Sequence, residues 1–415
     1  MKNLILNKQA LNNLFSKDIF LKICLIISSA NVVIWFIKKY IFGDREPFWD
    51  LVINYCAGQS YINGISPYNY GIGINPLGKC LNESGGLNDA FVYVATIPLL
   101  KISSLLAQFD IETIKSFWVI INLFSFFIIF LTSTYIYKIN KKYSWYILML
   151  LFSFGGVGFF SFLTGNITTL AATFISIGIY FYLKKNINIF CLCICIAALV
   201  RPQLFLFILL PFMEENKKYF LNVIFYSFTI AILFFYDFIF QKELFFGFLK
   251  GLAYVRSDAW FFTFGDGIGL DAIIDQLSYA VLLLFDVYIQ PGPSKYSNIL
   301  WIILSSTILL STYFFLTKKN ISKKINKTNS IALGIVIITL CLPRLQMYDL
   351  ILAIPAVHCI AINIMSEKQK RLSFLGFAML SIMYAVHDLN SPLFLFSLIF
   401  FYYTLIQFTN NFRKA

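Results

Sequence analysis

The sequence predicts an all-α polytopic membrane protein of about twelve transmembrane helices, on three observations. The 415 residues are 59% hydrophobic and only 13% charged, with a mean hydropathy of +0.76; soluble domains are nearer half apolar and a quarter charged. Many apolar runs approach or exceed the ~20 residues that cross a bilayer as helix. The basic residues, which bring the net charge to +13, fall mostly in short clusters between those runs, as orientation in a membrane requires. The chain therefore reads as one integral membrane domain, 1–415. No pattern for nucleic-acid binding accompanies the positive charge, and the 47 Phe and 24 Tyr fit lipid-facing and interfacial surfaces.

The expected spans are 19–42, 116–137, 144–163, 166–183, 187–201, 202–213, 219–240, 297–317, 330–342, 350–366, 372–387 and 392–409. The first follows a basic N-terminus. It is too long for a signal-peptide core and no small-residue cleavage site follows it, so it is expected to remain as a helix. Two further apolar segments are ambiguous: 91–108 is interrupted by Pro98 and Lys101, and 268–290 by Asp271, Asp275 and Asp286. If neither crosses, 20 of the 33 basic residues fall in short loops on one face together with both termini. That face is the cytoplasmic one. Segments 91–108 and 268–290 are then expected to lie in the outer interface.

Under this threading the chemically unusual patches share the other face. They are a first large outer loop with a juxtamembrane segment (43–115), "TGN" at 164–166, "RPQ" at 201–203, a second large outer loop (241–296), "PRLQMYD" at 343–349 and "HDLNSP" at 387–392. A transporter is expected to keep polar groups near the bilayer midplane, and these spans read as nearly free of them. One-sided enrichment points to a site at the outer surface of a plasma (inner) membrane.

Within those patches, Asp50 in "FWDLVINY" stands near Asp44 and Glu46. A carboxylate at the membrane boundary can take a proton from an attacking hydroxyl; the alternative is a loop acid or helix cap. Arg201, between two apolar segments, costs about 2.5–3.5 kcal/mol at bilayer depth. It calls for an anion, whether a lipid phosphate, a protein carboxylate or a headgroup reached by snorkelling. Arg344 and Asp349 repeat the theme, and an Arg fork fits phosphate oxygens; an ion pair within the loop is the other reading. Asn166 suits a helix N-cap. Trp260, in "SDAWFFTFGDGIGLD", offers a ring that stacks on sugars or anchors at the interface. Tyr55, Tyr68, Gln203 and Tyr348 complete the candidate substrate-binding set.

Cys56 and Cys80 share the first outer loop and can pair if that face is oxidising, whereas "CLCIC" (191–195) lies inside a span as packing. The two His, His358 and His387, have no company for a metal site. Neither a metal nor a cofactor is expected, and there is no Walker loop, HExxH or nucleophile elbow.

In order, "FWDLVINYCAGQSYINGISPY", "FVY" before a Pro-broken apolar segment, "GN" opening a helix, "ALVRPQ" and "PRLQMYDLILAIPA" resemble glycosyltransferase family 87 of the GT-C superfamily. The resemblance covers the chain to about residue 360. It implies a GT-C-like helical bundle that moves a hexose, mannose above all, from a polyprenyl-phosphate sugar to a glycolipid or glycan. By resemblance, Asp50 matches the family's catalytic Asp, and Gly64, Pro67 and Tyr68 match the end of its loop. Gly165-Asn166 stands for Gly-Gln, and Arg201-Pro202 for Lys-Pro. Tyr348-Asp349 occupies a region that often carries a His, and the double Pro usual after Tyr93 is reduced to Pro98. Arg201 and Arg344 become candidates for the donor phosphate. The other readings are a glycolipid flippase or transporter and an envelope polysaccharide polymerase.

Overall fold

The computed structural model describes residues 48–69, 75–85, 93–138, 164–214, 219–255, 295–316, 327–343, 345 and 347–364, with scattered positions in 23–37, 158–161 and 270–284. Among the described residues every regular element is helical. Among them three helices are long and apolar enough to cross a membrane, namely Ile111–Ile136, Phe220–Phe240 and Ser297–Phe314. Spans 144–163, 372–387 and 392–409 lie outside the described residues, apart from Ser161 and one further position.

In chain order the α-helices are α1 (Trp49–Ile62), α2 (Gly78–Gly85), α3 (Ile97–Leu106), α4 (Ile111–Ile136), α5 (Thr168–Leu183), α6 (Ile187–Val200), α7 (Phe220–Phe240), α8 (Lys242–Val255), α9 (Lys295–Leu316), α10 (Lys327–Leu340) and α11 (Ala353–Ile364). Two 3₁₀ helices, Pro202–Glu214 and Met347–Ile351, complete the order. α4 begins five residues before the expected span. Asp110 accepts from the backbone N–H groups of Glu112 (3.1 Å) and Thr113 (3.3 Å), two of the donors that a helix start leaves unmatched. The segment expected over 202–213 winds as a 3₁₀ helix. At ~2.0 Å per residue its 13 residues reach about 26 Å, as far as ~17 residues of α-helix.

α4 and α5 run side by side in the same direction. Thr173 donates to the Ser125 carbonyl (3.4 Å), Thr132 meets Ser176, and the Tyr135 and Tyr180 rings lie 4.8 Å apart. Ser161, before α5, bonds Thr169 at the opposite end from Ile136, so the chain changes ends between 136 and 161. It changes ends again along α5 and α6, because Arg201 returns to Thr168. Tyr219, before α7, packs on Tyr182 (6.1 Å), and Lys327, at the start of α10, lies over the Tyr182 ring (4.6 Å). Asp349, beyond α10, is back beside Arg201. One end of the bundle thus gathers Thr168, Arg201 and Asp349; the other gathers Tyr135, Lys184 and Lys327.

The bundle interior is apolar around Ile175, Phe190, Ile194, Phe207, Ile335 and Ala353. It also carries more polar groups than the sequence reading allowed: Asn122, Ser125, Ser133, Thr169, Thr173 and Ser176 are buried along α4 and α5. Several satisfy themselves locally, as Asn122 does on the Trp118 carbonyl (3.0 Å) and Thr173 on that of Thr169 (2.9 Å). Such small groups let helices pack closely in lipid.

Over the first end sits a layer of short helices. α3 has ten residues, about 15 Å, half of a bilayer core. Gly58 lets α1 lie against the Ser103 backbone, where a Cβ would collide. α8 presses Gly247 on Tyr68, where a Cβ would come within 2.9 Å of the tyrosine's own. A disulfide joins Cys56 to Cys80 and ties α2 to α1.

Candidate active site

Asp50 is in the first turn of α1. Phe48, just before it, takes a left-handed conformation (φ 68°), uncommon for a bulky residue and a sign of local constraint. The constraint comes from the turn before α5. Gly165 there has φ +67°, and a Cβ on it would stand 2.9 Å from Leu51 Cβ and 3.1 Å from Phe48 Cδ1. Only glycine suits both the backbone angle and the contact. That contact brings the next residue, Asn166, to the carboxylate.

Asn166 Oδ1 accepts from the Thr168 backbone N–H (2.8 Å), which fixes the amide so that Nδ2 donates to Asp50 Oδ2 (2.8 Å). The sequence predicts an N-cap, and the side chain does close a turn onto Thr168; its second hand holds the acid. Asp50 is half-buried as a residue, but its carboxyl is enclosed. Burial raises the carboxyl above the ordinary aspartate range. The Asn166 bond, a bond to Thr164 and the Arg201 charge pull it part of the way back. A carboxylate held by neutral donors in a low-dielectric setting is poised to take a proton.

Arg201 caps the end of α6 with an extended backbone. Its Nη1 donates to Thr168 Oγ1 (2.8 Å) and forms an ion pair with Asp349, whose side chain is 1% exposed. The Gln203 amide, with its oxygen turned to the guanidinium, accepts from Nε (3.1 Å) and Nη2 (3.0 Å). The Tyr348 ring lies 5.2 Å from the guanidinium carbon. Of the anions open to Arg201 in the sequence, the structure supplies a protein carboxylate. Its partners come from α5, from the 3₁₀ helix that follows it and from the 3₁₀ helix 347–351.

The structure therefore brings together Asp50, Asn166, Arg201, Gln203, Tyr348 and Asp349 from segments that span three hundred residues of sequence. It sets Tyr55 and Tyr68 elsewhere. The Tyr55 hydroxyl donates to the Phe109 carbonyl (3.2 Å). Tyr68 is core, its hydroxyl on the Ala95 carbonyl (2.7 Å) and its ring against Tyr93 and Phe248. Arg344 and Trp260 lie outside the described residues. Thr164 and Thr168 belong to the network and were missed by sequence reasoning. Their signal was the pair of threonines two residues either side of Asn166: the Thr164 hydroxyl accepts from the Asn166 backbone N–H (3.2 Å), and the Thr168 hydroxyl accepts from Arg201.

Comparison with protein-family models, with curated proteins and with solved structures gives no match.

Proposed function

We propose that this chain is an inverting membrane glycosyltransferase. It moves a hexose, mannose being favoured, from a polyprenyl-phosphate sugar to a glycolipid or glycan acceptor. The proposal takes the bundle as about twelve spans of a plasma (inner) membrane, with both termini in the cytoplasm and Asp50 on the outer face. The observation that carries it is the Asp50 carboxyl, buried at one end of the bundle, gripped by Asn166 and facing the Arg201 charge.

In this reading Asp50 takes the proton of an acceptor hydroxyl. The oxygen attacks the anomeric carbon from the side opposite the lipid phosphate. The bond from that carbon to the phosphate oxygen breaks, and its electrons leave with the polyprenyl phosphate. Arg201 is a fixed cation for the phosphate rather than a free fork, since Asp349, Thr168, Gln203 and Tyr348 engage its N–H groups. The positive field of the guanidinium is what it offers the leaving group. Arg344 is the second cation in the proposal.

The test is a panel of radiolabelled polyprenyl-phosphate sugars given to membranes carrying the wild type or Asp50→Asn. Transfer by the wild type alone supports the reading; no transfer of any sugar removes it. A second reading is a proton-coupled glycolipid transporter. The buried Asp50, Arg201 and Asp349 and the hydroxyl seam of α4 and α5 favour it, because ionisable groups inside membrane bundles mark proton and ion paths. Glycolipid movement driven by a pH gradient, without glycosidic bond formation, would identify it.

A further inference from the structure

Two acids flank the Arg201 guanidinium at this end of the bundle. Arg201 Nη1 touches Asp349 directly and reaches Thr168 Oγ1 at 2.8 Å. The Thr168 backbone N–H holds Asn166 Oδ1, and Asn166 Nδ2 holds Asp50. Asp50 and Asp349 thus lie on two sides of Thr168, Asp349 in contact with the guanidinium and Asp50 bound only by neutral donors. A cation already paired with one carboxylate favours the ionised form of a second carboxylate less than a free cation would.

We infer that Asp349 is a positioning residue that governs when Asp50 carries its proton, by occupying the Arg201 guanidinium that would otherwise settle on Asp50. Its weight for catalysis rests on the reading of Asp50 as base. Several charged groups on the neighbouring elements have partners of their own. On α2, Lys79 and Glu83 pair at exposed positions. On α3, Lys101 faces Asp237 at 4.0 Å. On α4, Glu112 and Lys115 pair with each other. Tyr348 stacks on Arg201 itself.

The experiment follows protonation of Asp50 directly. Full-length protein in lipid nanodiscs is titrated by infrared difference spectroscopy, and the Asp50 band is identified by its loss in Asp50→Asn. Asp349→Asn should move the midpoint of that band down by about one pH unit or more, a tenfold change in the ratio of protonated to ionised Asp50 at fixed pH. Asp349→Glu, which keeps the charge, should leave it near the wild-type position. A midpoint that stays or rises in Asp349→Asn overturns the inference. If that variant does not fold, the double variant Arg201→Gln, Asp349→Asn decides. A midpoint near wild type means that Asp349 cancels Arg201; a clear rise means that it does not. The acid limb of transfer activity should shift with the band. A shifted band in a protein that transfers no sugar leaves the coupling standing and removes the base; an unshifted band with Asp50-dependent transfer does the reverse.

Discussion

At the scale of single residues, Asp50 and Gly165 carry the sharpest predictions. Asn keeps the size of Asp50 but takes no proton. Asp50→Asn should therefore lower turnover per folded molecule by roughly 10²–10⁴-fold, while Asp44→Asn and Glu46→Gln lose far less. Near-normal turnover in Asp50→Asn would end the proposed mechanism. Stability should move the other way. The folded-state proton affinity of Asp50 is raised by burial, so between the ordinary aspartate range and that raised value the folded chain holds a proton that the unfolded chain has released. Stability from this group is full below that window and declines as pH climbs through it. Asp50→Asn should then melt no lower than wild type at neutral pH and higher relative to it than in acid, which thermal unfolding at two pH values measures. Gly165→Ala places a Cβ against Leu51 and Phe48 on a left-handed backbone. The backbone alone costs about 1–2 kcal/mol, and displacement of Asn166 should lower kcat more than KM. A variant with unchanged melting and kcat would show that the turn adapts.

At the scale of elements, the short helices over the bundle end decide whether Asp50 sits over the site. α1 is held by the Cys56–Cys80 disulfide, by Ser60 on the Pro76 carbonyl (3.0 Å) and by close packing of Gly58 on α3. Closing the loop between two cysteines 24 positions apart is worth about 3 kcal/mol on a chain-entropy account. Replacing both by Ser should lower the unfolding temperature in a reductant-insensitive way, whereas the wild type falls only when reduced. Equal melting with and without reductant in the wild type would show that the bridge does not contribute. The sequence placed both cysteines in one loop and read 91–108 as interfacial. It did not show the 3₁₀ winding after Arg201, because hydropathy gives the length of an apolar run and not its rise per residue.

At the scale of the whole molecule, the alternation of ends matters most. Arg201 and Asp349 are 148 positions apart and meet because the chain, at the far end of the bundle at Tyr219 and Lys327, returns along α10. Arg201→Ala leaves Asp349 buried without its cation, a change that typically costs about 3–5 kcal/mol. Arg201→Lys should retain part of donor use. Normal donor affinity in a folded Arg201→Ala would leave Arg201 a structural residue alone. Orientation is tested separately. Single-cysteine probes Asp89→Cys and Lys323→Cys should label from the outside at 89 and be spared at 323; the reverse pattern would put the site in the cytoplasm.

The sequence by itself determined that the chain is helical and membrane-embedded, since apolar runs and lysine clusters are local properties that a bilayer reads directly. It also marked Asp50, Asn166, Arg201 and Asp349 as costly or unusual where they stand. Only the tertiary structure decided which of these meet. A buried charge needs a partner, but the cost of burial is the same whichever acid supplies it, so the sequence left Arg201 open between phosphate and carboxylate. The return of the chain to one end of the bundle brought Asp349 to it, and the left-handed turn at Gly165 brought Asn166 to Asp50. Tyr68 was drawn inward by the same packing: its ring fills the space between α3 and α8, and a ring with its hydroxyl on a backbone carbonyl is more stable there than at the surface.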